Sequence, residues 1–243
     1  MTAGARPAFY ALVPGGWRDY VTLLHPPYTL WHLSYAAIGA GLAPELAWDR
    51  LGLALAAFFL GMGVGAHALD ELKGRPLQTR IPEPVLWALA AVSIAGAVAI
   101  GIFASLVYTV WLLPLVVLGG FIVVAYNLEL LGGHLHNAFW FAASWGALPV
   151  LAGYVVTAER VRDEAVAAAV FAALLSWAQR VLSTPVRDVR RRVASVSGTV
   201  VYRDGRDQPL GPKSLMGAPE TALRILAAAT VALAVALVVR HLG

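Results

Sequence analysis

The chain has 243 residues, of which 59% are hydrophobic and 13% charged, and its mean hydropathy is +0.71. A soluble domain carries roughly twice that charged fraction, so the composition excludes an ordinary soluble globule. The absence of cysteine excludes disulfides, thiolate metal sites and cysteine nucleophiles, and the formal charge of +4 is distributed as topology requires, not as a nucleic-acid-binding face.

The first twenty residues, through Tyr20, are rich in Gly and Pro and lack a long apolar run. They read as a cytoplasmic lead-in and not as a cleavable signal peptide. A helix needs roughly 20 apolar residues to cross the hydrocarbon. About seven spans are therefore expected, the first from Thr29 to Ala43 with an upstream extension to Leu23, the second from Leu51 to Leu69. The next three run over Val85–Phe103, Val107–Leu128 and Ala138–Val156, and the last two over Ala165–Leu182 and Ala222–Val239. This pattern predicts an all-α, polytopic transmembrane bundle in a single domain over residues 1–243. The third and fourth spans are separated only near Ser105, so their hairpin must be tight. Small residues such as Gly61, Gly63, Gly65, Gly119 and Gly120 suit close helix packing in lipid.

Seven spans with the N-terminus inside place fourteen Lys and Arg on one side, in the N-terminus and the loops around 70–84, 129–137 and 183–218. Only Arg50, Arg160, Arg162 and Arg240 fall on the other. This positive-inside bias predicts an integral membrane protein with a cytoplasmic N-terminus and an external C-terminus. One segment departs from the helical pattern. Across residues 193–212, Val and Thr alternate with polar residues around Asp204-Gly205, which predicts a β-hairpin near 196–210 lying over the cytoplasmic mouth. The alternative is a disordered loop.

Three connections on that side concentrate the polar chemistry. In the first, a helix continuing past the second span puts His67, Asp70, Glu71 and Gly74 on one face. Carboxylates there suit Mg²⁺, and Lys73, Arg75 and Arg80 suit phosphate oxygens; snorkelling cations at a membrane exit are the plainer alternative. The second connection holds Tyr126, Glu129, His134, His136 and Asn137, ionisable and polar groups close to lipid that tend to face a cavity. The third, Arg180 to Arg192, sets Asp188 among five arginines and suits an anionic ligand or anionic headgroups. No P-loop, dinucleotide fingerprint, metalloprotease helix or serine elbow is present.

The arrangement of these loops resembles the UbiA superfamily of intramembrane aromatic prenyltransferases. That family has nine helices and two aspartate-rich motifs, on the second and sixth, which bind Mg²⁺ and a prenyl diphosphate while an acceptor enters from the membrane. The resemblance runs from about Arg18 to Arg224. Leu23-Leu24-His25-Pro26-Pro27-Tyr28 looks like the opening of the family's first helix. His67 to Pro82 stands where the first motif, Asn-Asp-x-x-Asp-x-x-x-Asp, belongs. In one register Asp70 takes the middle acid, with Ala66 and His67 on the Asn-Asp pair and Gly74 on the last Asp. In the other, His67 and Glu71 fall on the two later acids. Thr184-Pro185-Val186-Arg187-Asp188-Val189-Arg190-Arg191-Arg192 resembles the second motif, Asn-Asp-Ile-Arg-Asp-Val-x-x-Asp. Arg187-Asp188-Val189 matches it, while Thr184, Pro185 and Arg192 replace the Asn and two acids. The stretch from Lys213 to Arg224 is similar to the family's Lys-Thr-Leu-Pro segment, and Tyr126 stands at its middle-loop Tyr, with Glu129 in place of a nearby Lys. The acids are thinned in both motifs, and one helix follows the second motif where the family has three.

The resemblance implies transfer of an isoprenoid from a prenyl diphosphate to a lipophilic acceptor within the membrane. It places Mg²⁺ on Asp70, Glu71 and Asp188, with His67 beside them in the catalytic set. It assigns the diphosphate to Lys73, Arg75, Arg80, Arg187, Arg191 and Lys213, and the acceptor side of the cavity to Tyr126, Glu129, His134 and Asn137. Trp140 and Trp145 are candidates to shelter carbocation-like charge. A terpene cyclase would use the same site without an acceptor. The competing expectation is a non-catalytic relative that binds an isoprenoid or an anionic lipid, or scaffolds a partner; neither reading calls for nucleic acid.

Overall fold

The computed structural model describes residues 6–243, so the first five residues of the expected lead-in lie outside the described residues. Eight helices follow one another: α1 (Trp17–Leu23), α2 (Pro26–Leu42), α3 (Trp48–Leu72), α4 (Glu83–Val107), α5 (Val110–Asn127), α6 (Ala138–Ala158), α7 (Asp163–Arg191) and α8 (Pro212–Val239). The six from α3 to α8 are long and apolar enough to cross a membrane, the mark of a membrane protein. They correspond to six of the expected spans.

The remaining expected span is α2, at 17 residues the shortest of the seven. Its length of about 26 Å is set by Pro26-Pro27 at its first turn, where a missing N–H costs nothing, and by its place in the bundle. Trp31, Tyr35, Ala36 and Ala40 are fully buried, so α2 is enclosed by protein on most of its surface. Packing there is backbone to backbone. A Cβ on Gly39 would lie 2.0 Å from the Val150 carbonyl oxygen, and one on Gly153 would lie 2.1 Å from that of Ala36. Only glycine allows α2 and α6 to approach so closely. Beside this seam the Trp31 indole donates to Tyr35 Oη at 2.6 Å, and Ser176 Oγ of α7 donates to the same oxygen at 3.2 Å.

The two ends of the bundle differ. At one, Arg50 donates to Glu159 Oε1 at 2.7 Å and to the Val156 carbonyl at 3.1 Å, while the His241 ring lies 3.0 Å from the Gly41 carbonyl. At the other gather the starts of α2, α6 and α8 and the ends of α3, α5 and α7. The expected hairpin is present as β1 (Thr199–Val201) and β2 (Asp207–Pro209), antiparallel with Thr199 opposite Pro209. Its turn closes where Tyr202 N donates to the Arg206 carbonyl at 2.8 Å, and Gly205 takes the left-handed φ of +83° that the turn requires. Every strand residue is exposed and none lines the cavity described below. The expected place of the hairpin over the mouth finds no support, since no strand residue contributes to the cavity wall.

Candidate functional site

The polar connections converge on one cavity of about 460 Å³. Its walls come from the N-terminal segment, the start of α2, the end of α3, the α5–α6 connection and the last three turns of α7. Three aromatic rings close its inner side. Tyr126 stacks on His136 at 4.4 Å between centroids, and Trp145 packs against Tyr126 at 4.6 Å and parallel to Phe141 at 5.6 Å.

The charges around the cavity fall into two groups. Lys73 pairs with Glu129 at 3.5 Å, Arg190 with Glu220 at 2.7 Å, and Arg192 with Asp188 at 3.3 Å. Among the described residues, Arg180, Arg187 and Arg191 have no carboxylate within ion-pairing distance, and Asp70 has no cation within it. Arg180 donates to Tyr126 Oη, Arg187 to Thr184 Oγ1 at 3.2 Å, and Arg191 to the Pro7 carbonyl at 3.3 Å. Three free guanidinium groups against one free carboxylate leave this space cationic by about two charges.

Of the residues expected here, His67, Asp70, Lys73, Tyr126, Glu129, Arg187, Asp188 and Arg191 all line the cavity. The others do not. Glu71 is fully buried, and its carboxylate accepts from Leu77 N, Thr79 N and Thr79 Oγ1, each at 2.9 Å. It folds the loop after α3 and does not line the cavity, so it does not fit the expected metal-ligand and catalytic roles. Arg75 is turned the same way, donating to the Ile81 carbonyl at 2.6 Å, and the Arg80 backbone N is held by Asp19 at 3.0 Å with its side chain outward. Lys213 is exposed in the first turn of α8, outside the cavity lining. Asn137 caps α6, accepting from Trp140 N at 3.0 Å and donating to the His134 carbonyl at 2.8 Å, so Asn137 and His134 shape a turn. Trp145 reaches the cavity, whereas Trp140 packs behind it.

The donor set does not form a carboxylate metal centre. Among the described residues no three His, Asp or Glu side chains stand where they could share a metal ion. Glu71 is held by the loop, Asp188 is paired with Arg192, and Asp70 is left as one carboxylate facing two arginines across the cavity. Two Mg²⁺ ions need more oxygen ligands than that.

Several cavity residues carried no expected role. His25, Tyr28 and His32 come from the start of α2, and Pro7 to Tyr10 come from the segment read as a lead-in. That segment is fastened across the mouth: Arg190 donates to the Arg6 carbonyl at 3.1 Å, and the Arg224 guanidinium sits 4.5 Å over the Phe9 ring. Tyr10 Oη and His25 Nδ1 lie 2.8 Å apart. Burial holds the Tyr10 phenol well above its ordinary value and pushes the His25 imidazole well below its own, with the nearby His67 ring adding to the second effect. Three buried polar atoms have no protein partner among the described residues, namely His25 Nε2, Gln179 Oε1 and Arg190 Nε, and all three belong to residues lining this cavity. Buried polar groups are rarely left unbonded, so these three mark the cavity wall as the place where hydrogen bonding within the protein is least complete.

A second, apolar cleft of about 120 Å³ lies among α3, α4, α5 and α6, lined by residues such as Phe58, Met62, Val98 and Val116. Trp145 borders both spaces. A cationic cavity sharing a wall with a hydrocarbon-lined cleft can accept an amphiphile with an anionic head. Searches of family models, curated proteins and solved structures find no match to the chain.

Proposed function

We propose that the protein is a divergent UbiA-type membrane protein that binds a prenyl diphosphate at the cationic cavity and transfers its isoprenoid to a lipophilic acceptor. The observation that carries this reading is the excess of unpaired arginines, with Arg180, Arg187 and Arg191 free of carboxylate partners around Asp70. Guanidinium groups bind phosphate oxygens bidentately, and here they take the neutralising part that metal ions take where carboxylates abound. As the bond from the isoprenoid C1 to the diphosphate oxygen breaks, its electron pair leaves with pyrophosphate, whose growing charge Arg187 and Arg191 stabilise. The faces of Tyr126, Phe141 and Trp145 shelter the cationic carbon. In this reading α2 is a seventh crossing, the cavity end is cytoplasmic and the C-terminus is external, in keeping with the positive-inside bias. Asp70, which faces the cavity while Glu71 does not, favours the register that gives Asp70 the middle acid of the first motif.

One observation favours a second reading, a non-catalytic binder of an isoprenoid or anionic lipid. Glu71 and Asp188 are already engaged within the protein, which leaves Asp70 as one free carboxylate. The test is equilibrium binding of farnesyl diphosphate and farnesol to detergent-purified protein, followed by a search for chain transfer in membranes. The diphosphate binds more tightly than the alcohol, and Arg191→Ala weakens it by about 10-fold or more, the loss of a charge-assisted bond. Equal binding of diphosphate and alcohol would contradict the head-group assignment, and tight binding without chain transfer would leave the second reading.

A further inference from the structure

The histidines of the cavity share a geometry that the diphosphate reading does not use. His67 Nδ1 lies 3.0 Å from the Gly63 carbonyl, His32 Nδ1 lies 3.0 Å from the Trp145 carbonyl, and His136 Nδ1 lies 3.0 Å from the Tyr126 carbonyl. A carbonyl only accepts, so in each ring the Nδ1 carries the proton and, in the neutral form, Nε2 presents a lone pair. No protein group bonds any of these three Nε2 atoms among the described residues. Two of the accepting carbonyls belong to π-helical turns, Gly63 in Phe59–Ala66 and Trp145 in Ala142–Ala147. Such wide turns are frequent at functional sites.

Three of the rings form one cluster. His25 and His67 stack face to face, 4.0 Å between centroids and 9° between planes, and His32 stands on the same inner wall beside Phe141. His25 and His32 are each more than nine-tenths buried, and His25 Nε2 has no partner among the described residues. Stacked imidazoles this close, near Arg187 and Arg191, repel a second positive charge. His67 and His32 thus present neutral acceptors on the aromatic side of a cavity whose opposite wall is cationic. An anion finds no donor on these rings. A neutral hydroxyl fits them, because it donates the bond that the lone pairs lack.

We propose that His67, supported by His25 and His32, binds a hydroxyl group of the second, uncharged ligand, and that His67 Nε2 is the base that takes its proton. The catalytic half of this inference rests on the transfer reading above; the binding half does not. In the transfer step the hydroxyl oxygen bonds to C1 as the C1–diphosphate bond breaks, and the O–H proton passes to His67 Nε2. The imidazolium then gives that proton to the departing pyrophosphate, which restores the neutral ring and balances the reaction. His25 holds His67 in place by stacking, and the Gly63 carbonyl fixes its tautomer.

The experiment uses the full chain labelled with ¹⁵N-histidine in detergent micelles, titrated with 4-heptylphenol and with its methyl ether, 4-heptylanisole. Farnesyl diphosphate binding is measured in parallel. The resonance lost in His67→Phe identifies His67, and Phe keeps a ring stacked on His25. The expected result is an unprotonated Nε2 in wild type that shifts with the phenol and not with the ether. The phenol binds roughly 3- to 10-fold more tightly than the ether, the range of one neutral hydrogen bond, and His67→Phe removes that preference. A protonated His67 Nε2, or equal binding of phenol and ether, would overturn the proposal, and the binding comparison is read in wild type alone should the variant fail to fold. A hydroxyl preference that persists while farnesyl diphosphate does not bind supports the hydroxyl site and removes the transfer reading alone.

Discussion

Glu71 and Asp70 are consecutive residues that face different ways: Glu71 is buried under the following loop, while Asp70 lines the cavity without an ion-pair partner among the described residues. Successive residues on a helix point about 100° apart, and the α3 terminus uses that angle to separate an acid that holds the loop from one that faces the cavity. Glu71→Ala leaves the buried Leu77 and Thr79 amides without acceptors, and we expect a loss of about 3 kcal/mol. Thermal unfolding in detergent checks it. A melting temperature equal to wild type would contradict the assignment of Glu71 to the loop.

The α2–α6 seam makes an equally direct prediction. Gly153→Ala drives a Cβ to 2.1 Å from the Ala36 carbonyl oxygen, a backbone atom that cannot move aside alone. Overpacking of this kind costs about 1–3 kcal/mol. Gly217→Ala, where a Cβ meets open space, is the control and should leave stability unchanged or slightly raised. Equal melting of both variants would show that the helices do not approach as described.

Burial of His25 gives stability a pH dependence of known sign. Its folded-state pKa is lowered, chiefly by burial and then by the His67 ring, so the unfolded chain takes up a proton that the folded one refuses. Stability is complete above the unfolded value near 6.5 and falls as pH drops through it. The slope from this residue is at most about 1.4 kcal/mol per pH unit. His25→Phe keeps a ring against His67 and removes the titration, so melting between pH 7.5 and 5 should depend less on pH. An unchanged slope would mean that another group is responsible.

The membrane-spanning helices were legible because hydropathy acts over whole segments. Leu51–Leu69 and Val85–Phe103 fall inside α3 and α4, and Asp204-Gly205 marked the hairpin. Half of the site was legible too, since His67, Asp70, Tyr126, Arg187 and Asp188 sit at helix ends where polar residues leave the lipid. The remainder depends on pairings distant in sequence. Arg190 reaches Glu220, Arg180 reaches Tyr126, and Tyr10 reaches His25. No local pattern states that Arg190 is paired while Arg191 is free, that the Gly- and Pro-rich start crosses the cavity mouth, or that His32 points at a π-helical carbonyl 113 residues away. Glu71 misled for the complementary reason: its spacing from His67 suits a shared face, but the amides of its own loop claim it first.

In the proposed site unpaired arginines, and not a carboxylate-held metal, receive the anionic head. The most direct measurement is binding of farnesyl diphosphate to the purified protein in Mg²⁺ and in EDTA, for wild type, Asp188→Ala and the Arg187→Ala, Arg191→Ala double variant. The account predicts binding that survives EDTA and Asp188→Ala and is lost in the arginine double variant. Binding that needs Mg²⁺, collapses in Asp188→Ala and survives loss of both arginines would contradict it.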